Sequence, residues 1–412
     1  MKQSYFFGAY YEAKILEIIG TRIPLFTIIL VILINQNFRE SMDEKNKIYF
    51  FLILGTFIIA LLSKNTFSFL FFLEFCSFFI IFFVADSSKD WDKFTSIIFI
   101  VIFNIFGSVP FFYIFCSDLK EGLIMARTVP LAANISWMIF FFSLLLLVRK
   151  LPIFFLHFWL TKAHVRASGV CSIILAAVML KLGRFGLIKL SLVNWQISLK
   201  FINYLTSLRI LGVLYFRILI IRFFDLKYFV ACSSVAHIAL SLPMVIGGRT
   251  LGLIARIMIA VGHGLVSFFL FFLVSLIYEF SHNRSFDFFK SLESFRKFFY
   301  FLFRIFFFLN MSVPPFINFF RELLTILFLF KFTIIFPLLF FVRLILSCLF
   351  LIFCLTKQSF GKREKYVLVK NRPIIFPVFC VYSFIYLILF FYHFYPLSLY
   401  VKYHFVEVKK RG

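Results

Sequence analysis

The chain has 412 residues, 63% of them hydrophobic, with a mean hydropathy of +1.01 and a formal net charge of +25. A soluble domain is about 45–50% apolar, so this composition excludes an ordinary soluble fold and calls for lipid or other membrane helices around most of the chain. The charge does not point to nucleic acid, because the basic residues are scattered between apolar runs without a continuous basic face.

Apolar runs of roughly 17–25 residues can cross a bilayer as helices, and about twelve are present. They cover 22–36, 47–63, 67–85, 94–117, 137–160, 167–190, 207–224, 229–247, 251–278, 299–332, 335–355 and 374–396. The expected fold class is all-α, a polytopic transmembrane helix bundle. Residues 1–20 carry Lys2, Glu12, Lys14 and Glu17, which fits neither a secretory leader nor an Arg-rich transit peptide. The expectation is that the first span is its own signal, or that the protein is made in the compartment whose membrane it enters. The 70 phenylalanines imply T-rich codons, as in an organelle gene.

Loops after odd-numbered spans hold 18 Lys and Arg, against 5 in the even-numbered loops. The positive-inside rule therefore sets the odd loops on the inner side and both termini outside, although Lys409, Lys410 and Arg411 oppose this.

Two spans are interrupted. Arg149-Lys150-Leu151-Pro152 breaks 137–160, and Asn310-Met311-Ser312-Val313-Pro314-Pro315 breaks 299–332. They stand five spans apart, which fits equivalent places in two antiporter-like inverted repeats, with a transport site near the midplane.

Charged residues inside the runs are costly, on the order of 3 kcal/mol each at mid-depth, and are ordinarily kept for use. Glu74 lies in L-F-F-L-E-F-C-S-F-F, where an interfacial carboxylate or a helix–helix hydrogen bond competes with a functional role. Lys150 is either part of a basic helix end with Arg149 or a buried cation, since the run continues past Pro152 to Leu160. Lys181 sits near the centre of its span and reaches neither surface easily. An ammonium with so little hydration can exchange protons near neutral pH. His237 and His263 occupy successive spans, either as interhelical hydrogen-bond partners or as steps in a proton or water path. Glu322 follows the double proline and neighbours Arg321, with a local ion pair as the plainer role. His157 and His164 flank Trp159 near a membrane surface, where structural roles are expected. Arg217, Arg304 and Arg343 stay charged and read as contacts to partner chains, lipid phosphate or acidic neighbours. The seven cysteines read as packing residues, with no C-x-x-C and no metal-ligand spacing, so no metal site is expected.

The sequence around the lysines resembles the chain 4 subunits of mitochondrial NADH–ubiquinone oxidoreductase (respiratory complex I), an antiporter-like family related to cation/proton antiporters. The family pattern K-[LM]-P-x(4)-H-x-W-L-P-x-A-H-V-E-A-P is matched at Lys150, Leu151, Pro152, His157, Trp159, Leu160, Ala163, His164, Val165 and Ala167. L-A-A-x-L-L-K-x-G is matched from Leu175 through Lys181 to Gly183. S-S-V-A-H-I-A-L around His237, G-H-G-L-V-S around His263, Y-E-F-S-H-N-R from Tyr278, and P-P-F-I-N-F-F-R-E-L from Pro314 to Leu323 extend the likeness over roughly 65–360. Thr161 and Ser168 replace family prolines, Arg166 replaces a glutamate, and Arg184 stands where glycine is usual. The family has about fourteen spans, so the amino-terminal region is expected to be shortened by two.

The resemblance implies residues 1–66 as shortened amino-terminal spans, 67–356 as a proton-translocation core, and 357–412 as a basic loop, last span and tail. It implies Glu74, Lys150, Lys181, His237, His263 and Glu322 as the proton path from matrix to intermembrane space. NADH, FMN, iron–sulfur clusters and ubiquinone would act in other subunits, with no cofactor in this chain. The implied partners are other complex I membrane-arm subunits, including neighbouring antiporter-like chains, and membrane lipid, within the mitochondrial inner membrane. A free-standing cation/proton antiporter subunit and a scaffold that has lost transport are the competing readings.

Overall fold

Phenylalanine and the β-branched residues suit strands as well as helices by propensity, so the solvent decides. In lipid each backbone N–H and C=O needs a partner within its own segment, and a helix supplies that. The computed structural model describes residues 44–63, 66–86, 92–120, 137–151, 156–193, 211–216, 218–219, 225–246, 250–281, 284–285, 297–312, 317–330 and scattered positions within 338–349. Among these the architecture is helical throughout, apart from one isolated antiparallel bridge between Asp225 and Ser285.

The helices in chain order are α1 (Glu44–Leu62), α2 (Thr66–Asp86), α3 (Asp92–Lys120), α4 (Trp137–Lys150), α5 (Phe158–Arg166) and α6 (Gly169–Ile174). A π-helical turn, Leu175–Met179, follows, then α7 (Leu180–Val193), α8 (Leu226–Ile246), α9 (Thr250–Ser281), α10 (Lys297–Asn310) and α11 (Ile317–Leu329). The expected spans 47–63, 67–85, 94–117, 229–247 and 251–278 correspond to α1, α2, α3, α8 and α9. The runs 22–36 and 374–396, and much of 207–224 and 335–355, lie outside the described residues.

Both expected breaks are present, and proline chemistry explains each. Pro152 lacks an N–H and disfavours helical geometry at the residue before it, so α4 stops at Lys150. Pro314 and Pro315 stop α10 in the same way, and Ser312 turns into the left-handed region at φ 61°. Each break exposes helix-terminal carbonyls, and one side chain returns to satisfy one of them. Trp159 donates its indole N–H to the Arg149 carbonyl at 3.2 Å, and Asn318 donates its amide to the Leu309 carbonyl at 2.6 Å.

Around these breaks α4 packs on α3 and α7, while α9 packs on α6, α8, α10 and α11. The outer faces carry exposed phenylalanines, among them Phe51, Phe78, Phe106 and Phe301, as expected of a surface bathed in hydrocarbon. Cys76, Cys171 and Cys232 are buried packing residues as expected, but Cys116 and Cys348 are exposed, which corrects the uniform reading of the cysteines.

Candidate functional site

Glu74 lies midway along α2, and its carboxylate is shared. Oε1 accepts from Arg149 Nη2 at 2.9 Å, and Oε2 accepts from Lys150 Nζ at 3.3 Å. The Lys150 ammonium also donates to Asn104 Oδ1 at 3.1 Å, from α3. Lys150 and Arg149 are each 2% exposed. The two readings of this helix end are thereby resolved: α4 does end in a basic pair, and the pair is buried rather than solvated. The guanidinium reaches further into α3, donating to the carbonyls of Phe103 and Asn104. A Cβ at Gly107 would stand 2.7 Å from Arg149 Nη1, so a larger residue there would make the guanidinium shift from this position.

The Glu74 end is not sealed. A crevice of about 640 Å³ lies against α2 and α3, lined by Phe71, Phe75, Phe78 and Ile105, with Glu74 and Asn104 among its few polar groups. The Glu74 side chain is 14% exposed.

Lys181 is buried on α7, immediately after the π-helical turn. Its Nζ donates to the Ala176 carbonyl at 2.6 Å, within that turn, where widened backbone spacing is typical of functional helix interruptions. Nothing in L-A-A-V-M announces a π turn. On the other side the lysine stem lies against α9, where a Cβ at Gly264 would come within 2.9 Å of Lys181 Cε. Gly264 adjoins His263, whose ring centroid is 5.8 Å from that of His237 on α8. Both imidazoles are buried.

One turn before His237, Ser233 accepts a hydrogen bond from Asn310 Nδ2 at 2.9 Å, tying α8 to the end of α10. Across that break Ser312 Oγ donates to Glu322 Oε1 at 2.8 Å, and Glu322 is buried. All six candidates thus lie inward or, for Glu74, at the inner wall of a crevice. They sit on α2, α4, α7, α9, α8 and α11.

The sequence reading underrated several neighbours. Arg149 was expected to form at most a basic end, yet it shares Glu74. His157 and His164, expected near a surface, are buried, and His164 stacks on Phe271 with centroids 4.5 Å apart. Lys227, counted as a loop charge, is buried and donates to the Ala167 carbonyl. Arg284 donates to Val165 O at 2.7 Å, so two cations meet the carbonyl-rich end of α5, where the helix dipole favours positive charge. The departures from the family pattern have local partners: Arg166 donates to Thr95 Oγ1 at 2.5 Å, and Ser168 caps α6 by accepting from Cys171 N. Arg184 is buried. Arg217 and Arg343 lie outside the described residues.

The family model for the transmembrane region of NADH:quinone oxidoreductase and Mrp antiporters matches residues 63–349. The NADH-ubiquinone oxidoreductase chain 4 of Rhipicephalus sanguineus is 28% identical over 363 residues, covering 87% of this chain and 82% of that one. That of Mytilus edulis is 36% identical over 233 residues, covering 55% of this chain and about half, 53%, of its own length. Among solved structures, a chain of respiratory complex I from Thermus thermophilus with bound NADH superposes with a TM-score of 0.78 at 19% identity, covering 89% of this chain and 79% of that one. A chain of the archaeal membrane-bound sulfane sulfur reductase gives 0.78 at 17% identity, covering 92% and 80%. These two share the fold. With its broken helices, its buried lysines and a family match across most of its length, the chain belongs to the NADH:quinone oxidoreductase/Mrp antiporter transmembrane family.

Proposed function

We propose that this chain is a membrane-arm subunit of respiratory complex I that moves protons from matrix to intermembrane space. NADH oxidation by ubiquinone in other subunits drives the movement, and the chain resides in the mitochondrial inner membrane beside neighbouring antiporter-like chains. The observation that carries the reading is a set of titratable groups, Glu74 at the wall of a crevice and Lys150, Lys181, His263, His237 and Glu322 buried. Buried charges of this kind are expensive in a bilayer and are kept where ions or protons pass.

In the proposed cycle Glu74 holds the Lys150 ammonium by charge and hydrogen bonding. Weakening of that pair releases a proton toward Lys181, and coupled sites then titrate together rather than singly. His263, His237 and intervening water carry charge on toward Glu322, whose carboxylate is steadied by Ser312. The π turn gives Lys181 a backbone acceptor, which helps to fix its resting position.

The test replaces Lys150 or Lys181 by Met in the assembled complex and measures protons pumped per NADH oxidised in sealed vesicles. The expected result is an assembled complex with diminished pumping. Assembly and pumping both at the unmodified level would overturn the reading in favour of a scaffold.

A further inference from the structure

We propose that Arg149 is a positioning residue that keeps Glu74 ionised while Lys150 is neutral, so that the proton Lys150 releases moves onward rather than falling back on Glu74. The inference rests on the proton-path reading above and adds a residue that no family pattern quoted for the lysines contains.

The geometry poses a problem that a Glu–Lys pair alone would not solve. Lys150 Nζ stands 3.3 Å from Glu74 Oε2, which makes that carboxylate the basic group paired with the ammonium among the described residues. A buried carboxylate left without a cation is heavily penalised and is relieved by taking up a proton. If Lys150 were its sole partner, loss of the Lys150 proton would create that penalty, and return of the same proton would remove it. Such an exchange moves no net charge through the membrane.

Arg149 changes the balance. Its guanidinium stays protonated at all relevant pH and pairs with the other carboxylate oxygen, Oε1, at 2.9 Å. The side chain is fixed by the carbonyls of Phe103 and Asn104 and by the space that Gly107 leaves open. These contacts are independent of the state of Lys150. Glu74 therefore retains a partner after Lys150 has lost its proton. Among the described residues the other groups facing this cluster are Cys76 and Ser77 on α2 and Asn104 on α3, while α7, packed on α4, carries Lys181 and Arg184. None of them is a second carboxylate.

The experiment compares Arg149→Met, Arg149→Lys and Lys150→Met in the assembled complex, reading protons pumped per NADH and the infrared band of protonated carboxyl groups. Arg149→Met is expected to lower pumping per NADH and to add a protonated-carboxyl band that disappears when Glu74→Gln is combined with it. Arg149→Lys, which keeps a cation beside Oε1, is expected to retain more pumping than Arg149→Met and to show no added band. Should Arg149→Met fail to assemble, Arg149→Lys decides: an assembled Arg149→Lys complex that has lost its pumping, or that shows the added band, overturns the proposal. Wild-type pumping and no new band in Arg149→Met also overturn it. If Lys150→Met lowers pumping while Arg149→Met does not, the proton path stands and only the role of Arg149 fails. If Lys150→Met pumps normally, the path itself fails.

Discussion

The two helix breaks solve one backbone problem with two different kinds of chemistry. At the end of α4 the break gathers charge: one carboxylate, a lysine and an arginine, braced by backbone carbonyls of α3. At the end of α10 the described contacts are hydrogen bonds, with Asn310 on Ser233, Asn318 on Leu309 O, and Ser312 on the carboxylate of Glu322. The first arrangement depends on electrostatics in a poorly screened setting, where removing one member leaves the others uncompensated. The second depends on hydrogen bonds, each with a modest net contribution. Among the described contacts, the first break is held by charge and the second by hydrogen bonds.

The sharpest way to break this contrast is to remove the carboxylate at each end. Glu74→Ala leaves two buried cations without their counter-ion and is expected to cost about 3–5 kcal/mol. Glu322→Gln keeps an acceptor for Ser312 and is expected to cost about 1 kcal/mol. Thermal unfolding of the purified assembly reads both, and equal losses would show that the ends are not different in kind. Next in size is the middle of the line. Gly264→Ala drives a methyl into the Lys181 stem and is expected to destabilise by about 1–3 kcal/mol and to lower pumping. Gly55→Ala is the control: nothing lies within 4 Å of its Cβ position, so a helix-interior gain of roughly 0.5–1 kcal/mol is expected instead. A loss at Gly55 equal to that at Gly264 would remove the steric explanation.

The pair Trp159→Phe and Asn318→Leu asks whether the two breaks are capped to the same extent. Each removes one side-chain hydrogen bond to a helix-terminal carbonyl, at about 0.5–1.5 kcal/mol, and similar shifts in melting temperature are expected, the Leu309 carbonyl keeping a long bond from Ser312 N at 3.4 Å. A large shift for one and none for the other would end the parallel. The smallest effect separates strain from hydrogen bonding at Ser312. Ser312→Gly relieves a left-handed backbone that costs a side-chain residue roughly 1 kcal/mol, whereas Ser312→Ala keeps that cost; both lose the bond to Glu322. The glycine variant should melt higher than the alanine variant, and the reverse order would place the strain elsewhere.

Much of this was legible in the sequence because lipid turns local chemistry into structure. The prolines at 152, 314 and 315 mark both breaks, and an acid or lysine within an apolar run has few places to go but inward. The positions of Glu74, Lys150, Lys181 and Glu322 were readable for that reason. Tertiary partnerships were not. The sharing of Glu74 depends on Gly107, 42 residues before Arg149, leaving room for a guanidinium. The burial of Lys227 depends on the carbonyl end of α5, and charge counting along the chain assigns such a lysine to a loop. The π turn depends on a backbone register that L-A-A-V-M does not encode by composition.

The crevice beside Glu74 gives the charged end of the line an exposure to its surroundings that the Glu322 end lacks. Its walls, as lined by the described residues, are largely aromatic, and its mouth is open. Hydrocarbon tails and a neighbouring helix with polar side chains differ in polarisability, and the attraction between the carboxylate and its two cations scales inversely with the local dielectric. The strength of that cluster is thus set partly by whatever medium meets the crevice mouth.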